Sequence, residues 1–190
     1  AGQGWQAVGR INLGLRGFCT GALIAPDLVL TAAHCLFDKE TGARIADRDI
    51  EFLAGWRNGR AEAYRGVRRS VAHPDYIYSG AESLDRVAFD VALVALDQPI
   101  RLPQITPFAT DSRPARGDAV GVVSYAHNRA EAPSLQETCH VLDRAAVERG
   151  GLAQALHHQL LQVGRQQLEA LVVRHHRMAG EPERVAVPDR

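Results

Sequence analysis

Phe18-Cys19-Thr20-Gly21-Ala22-Leu23-Ile24-Ala25-Pro26-Asp27-Leu28-Val29-Leu30-Thr31-Ala32-Ala33-His34-Cys35 is the most informative stretch of this 190-residue sequence. Two apolar runs flank Ala25-Pro26-Asp27, a turn signal, so the stretch reads as two paired strands. A histidine stands at the end of the second strand, and cysteines at 19 and 35 flank the pair. An isolated Ala-His-Cys is more often a satisfied structural histidine beside reduced core thiols, so the surrounding sequence has to decide.

The neighbouring segments are of the same kind. From about residue 8 to 142 they are short, rich in Val, Leu, Ile and aromatics, and punctuated by Gly, Pro and Asp, the pattern of an all-β barrel or sandwich. Strands are predicted near residues 7–13, 17–24, 28–32, 51–55, 66–73 and 91–96. Residues 97–107 carry Pro99, Pro103 and Pro107; without N–H donors they cannot sustain a sheet ladder, so the segment reads as an extended connection. Two more strands are predicted at 118–125 and 134–142. After about Arg144 the character changes: Phe, Tyr, Trp, Ser and Thr disappear, and Leu152, Leu156, Leu160, Val163, Leu168, Leu171 and Val172 recur at helical spacing.

Composition excludes several classes. With 46% hydrophobic and 23% charged residues the chain lies among ordinary globular proteins rather than disordered or disulfide-dense ones. Its 22 basic and 22 acidic residues leave no net field to attract nucleic acid or an anionic membrane surface. No apolar run approaches the roughly 18 residues needed to span a bilayer. Residues 1–5 hold neither an initiator Met nor a signal-peptide core, so any export signal is expected to be already removed or never included. Lys39 is the only lysine among the basic residues, a bias typical of GC-rich coding DNA.

Over its eighteen positions the opening stretch resembles the trypsin-like serine peptidases, and a bacterial-type secreted member of that family is expected. There a Cys-x-Gly-x-Leu-Ile strand leads by a short turn to a Thr/Ser-Ala-Ala-His-Cys strand end. The resemblance implies that Cys19 and Cys35 form a disulfide and that His34 is the general base. The chemistry asks for this rigidity, because an imidazole must be held at hydrogen-bond distance from a hydroxyl to take its proton as the hydroxyl attacks a carbonyl.

Phe89-Asp90-Val91-Ala92-Leu93-Val94-Ala95-Leu96 opens a continuous apolar run with an acid, as a buried strand does, and resembles the family's Asp-Ile-Ala-Leu motif. By resemblance Asp90 accepts the Nδ1 proton of His34 and stabilises the imidazolium. A capping aspartate is the plainer reading, and Asp85 a competitor, but only Asp90 directly precedes the run. Trp5-Gln6-Ala7-Val8 and His73-Pro74-Asp75-Tyr76 are smaller echoes of the family, and His73 is given no catalytic role. The family's Ile-Val-Gly-Gly N-terminus has no counterpart here.

The nucleophile is unknown. It should follow Asp90 within a Gly-Asp-Ser-Gly-like turn whose backbone N–H groups form the oxyanion hole. Of Ser112, Ser124 and Ser134, the serines beyond Asp90, none has glycine directly after it or two places before it, and no serine follows Ser134. Cys139 is the odd cysteine: an orphaned structural thiol, or a rival nucleophile that lacks the glycine turn. The resemblance thus covers residues 5–143. Residues from about 145 onward are expected to be read in a shifted frame or to come from an alternative end, leaving the chain truncated or frameshifted before the nucleophile.

The expected architecture is an all-β, trypsin-like double β-barrel with an incomplete second barrel and a C-terminal amphipathic helix: an N-terminal barrel at 1–102, a partial second barrel at 103–144, and a helical tail at 145–190. The expected function is serine-type endopeptidase by family, inactive as the chain stands; the alternative is a non-catalytic pseudoprotease acting as a binding protein. No cofactor or metal is expected. His157-His158 and His175-His176 would stand about 27 Å apart along a helix, too far to share an ion. Partners are a polypeptide substrate if active, with no nucleic acid and no membrane. The chain is expected to be a monomer whose open sheet edges favour self-association, and to be secreted or periplasmic.

Overall fold

A computed structural model of the chain describes residues 4–78, 89–110, 115–126 and 129–141. Six strands form a closed antiparallel barrel: β1 (Val8–Leu13), β2 (Phe18–Ala25), β3 (Leu28–Thr31), β4 (Ile50–Ala54), β5 (Ala63–Ala72) and β6 (Ala92–Leu96), in the order β1-β2-β3-β6-β5-β4. Pairing of Gly9 with Ala54 and Leu13 with Ile50 joins β1 to β4 and closes the ring. Closure leaves none of the six strands with an unpaired edge.

Alternation along the strands fills the interior with Ile11, Leu23, Phe52, Val94 and Leu96, each at most 1% exposed. β6 is buried along its whole length. Ala92, Val94 and Leu96 join the core, and Leu93 and Ala95 are covered on the other face. Gly9 and Gly21 face each other across β1 and β2. A Cβ on Gly21 would lie 2.6 Å from Val29 Cγ1 and 2.8 Å from Ile11 Cδ1, so the close packing of three strands requires glycine there.

The six expected strands are all present, with shifted ends. β5 begins at Ala63 rather than 66, because Ala63 and Tyr64 pair with Ala54 and Leu53 of β4. β3 ends at Thr31, and Ala33–Leu36 forms a 3-10 turn, so His34 sits three residues beyond the ladder. The connection at 97–107 joins no sheet, but it is not extended throughout: it bends at 97–98 and turns at 102–105, where Ile105 N–H donates to Leu102 O at 2.9 Å. It is tied down by Ile100 N–H donating to Pro26 O at 2.7 Å and Phe108 N–H to Leu23 O at 2.9 Å, with Ile105 buried.

Beyond it, β7 (Ala119–Ala126) and β8 (Arg129–His140) form a two-stranded antiparallel sheet. β8 starts five residues before the expected position and runs through Pro133. In a sheet of two strands each strand has an outer edge, where a missing N–H costs no ladder bond. The sheet rests on the barrel through Tyr125, whose N–H donates to Thr20 Oγ1 at 2.9 Å and whose hydroxyl donates to Trp56 O at 2.7 Å. Burial pushes the Tyr125 phenol up to about 12, against the pull of Arg57 and Arg10, so it remains a donor at any physiological pH. Trp56 Nε1 donates to Ala130 O at 3.0 Å, and Asn58 N–H to Glu131 O at 2.6 Å. The expected helical tail at 145–190, with its paired histidines, and the side chain of Cys139 lie outside the described residues, as do Ser112 and Asp85.

Candidate active site

Three local features bring the candidate site together at one end of the barrel. The first is the close of β3, where Thr31 Oγ1 donates to Thr20 O at 2.9 Å and the chain turns sharply through Ala33–Leu36. That turn points Cys35 back at β2, where it is disulfide-bonded to Cys19 with the Cα atoms 6.1 Å apart. His34 is thereby held between a strand end and a covalent crosslink, leaving its backbone little freedom.

The second feature is a three-residue turn: Val91 N–H donates to Phe89 O at 2.8 Å, placing Asp90 at the apex just before β6. The third is the Asp90 carboxylate, with both oxygens bonded to one residue. Oδ2 accepts from His34 Nδ1 at 2.7 Å and Oδ1 from the His34 backbone N–H at 2.8 Å. The pair fixes the proton on Nδ1 and leaves the lone pair of neutral imidazole on Nε2. His34 is 41% exposed and Asp90 26%, so the imidazole is open to solvent while its carboxylate acceptor is mostly covered. No described residue hydrogen-bonds His34 Nε2.

The ground behind Asp90 is aromatic. Phe37 stacks on Tyr78 at 5.2 Å and meets Tyr76 at 5.8 Å. Burial raises the Tyr76 phenol, and the nearby Asp90 charge raises it further. His73, given no catalytic role by the sequence, supports the turn: its ring stacks on Phe89 at 5.0 Å and its backbone N–H donates to Val91 O at 2.9 Å. Its Nδ1 accepts from Asp75 N–H at 3.1 Å, so the ring is the Nε2–H tautomer. Burial lowers its pKa, with Asp75 pulling the other way. The only signal for this support was the His73-Pro74-Asp75-Tyr76 motif, which says nothing about where the imidazole packs.

Cys19, His34 and Cys35 lie close enough to suggest a metal cluster, but the sulfurs are joined to each other and a disulfide offers no thiolate to a zinc ion. Of the serines considered as nucleophile, Ser124 and Ser134 face each other across β7 and β8, and neither bonds His34. The structure therefore brings His34, Asp90, Cys19 and Cys35 together and joins no serine to them among the described residues.

Comparison with known proteins identifies the family and the fold. The sequence model of the family described as Trypsin matches residues 1–169, which extends past residue 143. Human Kallikrein-10 is 37% identical over 102 residues, covering 53% of this chain and 34% of that relative. A structure of kallikrein-related peptidase 10 in complex with Zn2+ superposes with a TM-score of 0.51 and 25% identity, over 71% of this chain and 57% of that one. A Glu endopeptidase in complex with MPD superposes with a TM-score of 0.56 at 20% identity, over 70% of this chain and 60% of that one, a likeness of fold. The chain thus spans 34% and 35% of the length of two curated relatives that it matches.

Proposed function

The chain belongs to the trypsin family, and from that premise we propose that it carries the base and orienting carboxylate of a serine endopeptidase acting on extracellular polypeptides. The observation that carries the reading is the 2.7 Å contact between His34 Nδ1 and Asp90 Oδ2, beside a disulfide that fixes the histidine. In this chemistry His34 Nε2 takes the proton of an attacking serine hydroxyl as the oxygen–carbon bond forms. It returns that proton to the amine as the carbon–nitrogen bond breaks, then repeats the cycle with water to release the acid. Asp90 stays ionised throughout and stabilises the imidazolium.

The nucleophile is the part left unassigned, because no serine of the 190 residues lies in a Gly-x-Ser-Gly turn. Without nucleophile and oxyanion hole these residues by themselves leave peptide hydrolysis at background; the family match as far as residue 169 counts against a frame shifted or replaced at about residue 145. The disulfide favours an oxidising compartment, hence secretion or the periplasm, and the near-absence of lysine fits a GC-rich bacterial source. Among the described residues β7 and β8 each have an unpaired outer edge, which favours self-association of an otherwise monomeric chain.

Two measurements on the 190-residue chain test this. A low-field Nδ1–H proton resonance is expected for His34 and should vanish in Asp90→Asn; its absence from the folded wild type overturns the base-and-orienter reading. A fluorophosphonate probe is expected to leave the folded chain unmodified. Labelling mapped to a serine would show that the nucleophile is already present and overturn the inactive reading.

A further inference from the structure

Both tryptophans of the chain, Trp5 and Trp56, line one cavity of about 290 Å³, together with Ala61, Pro133, Arg57 and Arg60. We propose that this cavity and its arginine rim bind an acidic polypeptide segment, with an apolar side chain seated between the tryptophans and carboxylates held by Arg57 and Arg60. The volume lies at the small end of ligand sites, about 300–1,000 Å³, and so suits one side chain.

The rim is built by a tight hairpin. Asn58 (φ 51°) and Gly59 (φ 83°) are both left-handed, the geometry of a two-residue type I′ turn. The flanking arginines exchange backbone bonds, Arg57 N–H to Arg60 O at 2.7 Å and Arg60 N–H to Arg57 O at 3.1 Å. Residues so paired project their side chains from the same face, where like charges repel. Among the described residues neither arginine has an ion-pair partner, so the repulsion stands until an acid bridges them, which Arg does in bidentate fashion.

The hairpin and the strand after it are also rich in arginine. Residues 56–69 hold Arg57, Arg60, Arg65, Arg68 and Arg69 against Glu62 alone, in a chain of no net charge; Arg68 is paired with Asp27 at 3.8 Å. Glu62 also lines the cavity, which disfavours a uniform polyanion and favours a peptide that sets acids beside an apolar residue.

The site is separate from His34 and Asp90. β4 runs opposite to β1 and β3 runs parallel to it, so the hairpin after β4 lies at the other end of the strands from the turn after β3.

The tryptophans provide the readout, since both line the site. An acetylated, amidated pentapeptide of four glutamates and a central leucine is expected to shift the emission of the full chain saturably, and less so as salt is raised. Affinity should fall at least tenfold in Arg57→Glu/Arg60→Glu and stay unchanged in Asp90→Asn. The same peptide with lysines for glutamates should give no saturable shift. The proposal is overturned by no saturable response to the acidic peptide, by an equal response to the lysine peptide, or by full affinity in a folded charge-reversed variant. A heparin fragment that binds more tightly than the peptide would reassign the surface to polyanions.

Discussion

The six-stranded barrel and the two-stranded sheet are built from similar residues with opposite outcomes. In the barrel each strand is paired on both sides, and the core side chains of β1, β2, β4 and β6 are fully covered. In the sheet each strand has one described neighbour, and Val122 and Leu135 stand 46% and 39% exposed. Valine and leucine are apolar in both places; what differs is whether closure supplies a second surface to bury them. His34 and Asp90 both belong to the barrel, at the ends of neighbouring strands β3 and β6. The contact between His34 and Asp90 therefore depends on barrel integrity, with the sheet docked on the barrel through Thr20.

That contrast can be broken at its strongest point first. Phe52→Ala, inside the barrel, is expected to cost about 3–5 kcal/mol, whereas Val122→Ala on the sheet should change stability by less than about 0.5 kcal/mol. Urea titrations of both variants would show it, and comparable losses would mean that the sheet is as integral as the barrel. Reduction of Cys19–Cys35, which lie 16 residues apart, should lower stability by about 3 kcal/mol in the same assay. An unchanged midpoint in reductant would mean that the strand ends need no crosslink.

A smaller effect tests the junction. Tyr125→Phe removes the bond to Trp56 O and is expected to cost about 1 kcal/mol. Hydrogen exchange should rise in β7 and β8 while the barrel amides stay protected, and uniform loosening would instead make the two regions one cooperative unit.

The least effect is the dependence on pH. The folded state holds His73 with a lowered pKa, so between that value and the ordinary one near 6.5 the unfolded chain binds more protons. The contribution of His73 to stability is complete above about 6.5 and declines as pH falls below it. Asp75 opposes the decline by attracting the protonated ring, and Asp90 lies beyond the stacked Phe89. His73→Phe should flatten stability against pH across this range; an identical profile would assign the acid sensitivity to other groups.

Much of the site was legible because its signals are local. Cys19, His34 and Cys35 lie within one hairpin, and Asp90 announces the apolar run of β6. The six barrel strands were likewise marked by short apolar runs between turn residues, with only their ends displaced. Less legible were the early start of β8, where Pro133 suggested a break, and the place of His73 behind Phe89. Neither has a signature in neighbouring residues, because each depends on a partner brought up by the fold. Ser124 and Ser134 face each other across β7 and β8, a pairing that no local signal marks.

The sequence by itself determined the strand segments, the histidine and the two cysteines around it, because periodicity and turn chemistry act over a few residues. Only the tertiary structure decided that Asp90, 56 residues from His34, offers both carboxylate oxygens to it. It likewise decided that Tyr125 reaches Thr20 across 105 residues, and that both tryptophans line one cavity with Arg57 and Arg60, which have no ion-pair partner among the described residues. Those contacts follow from barrel closure, which buries its core cooperatively and sets the direction of each strand end; no single segment encodes them.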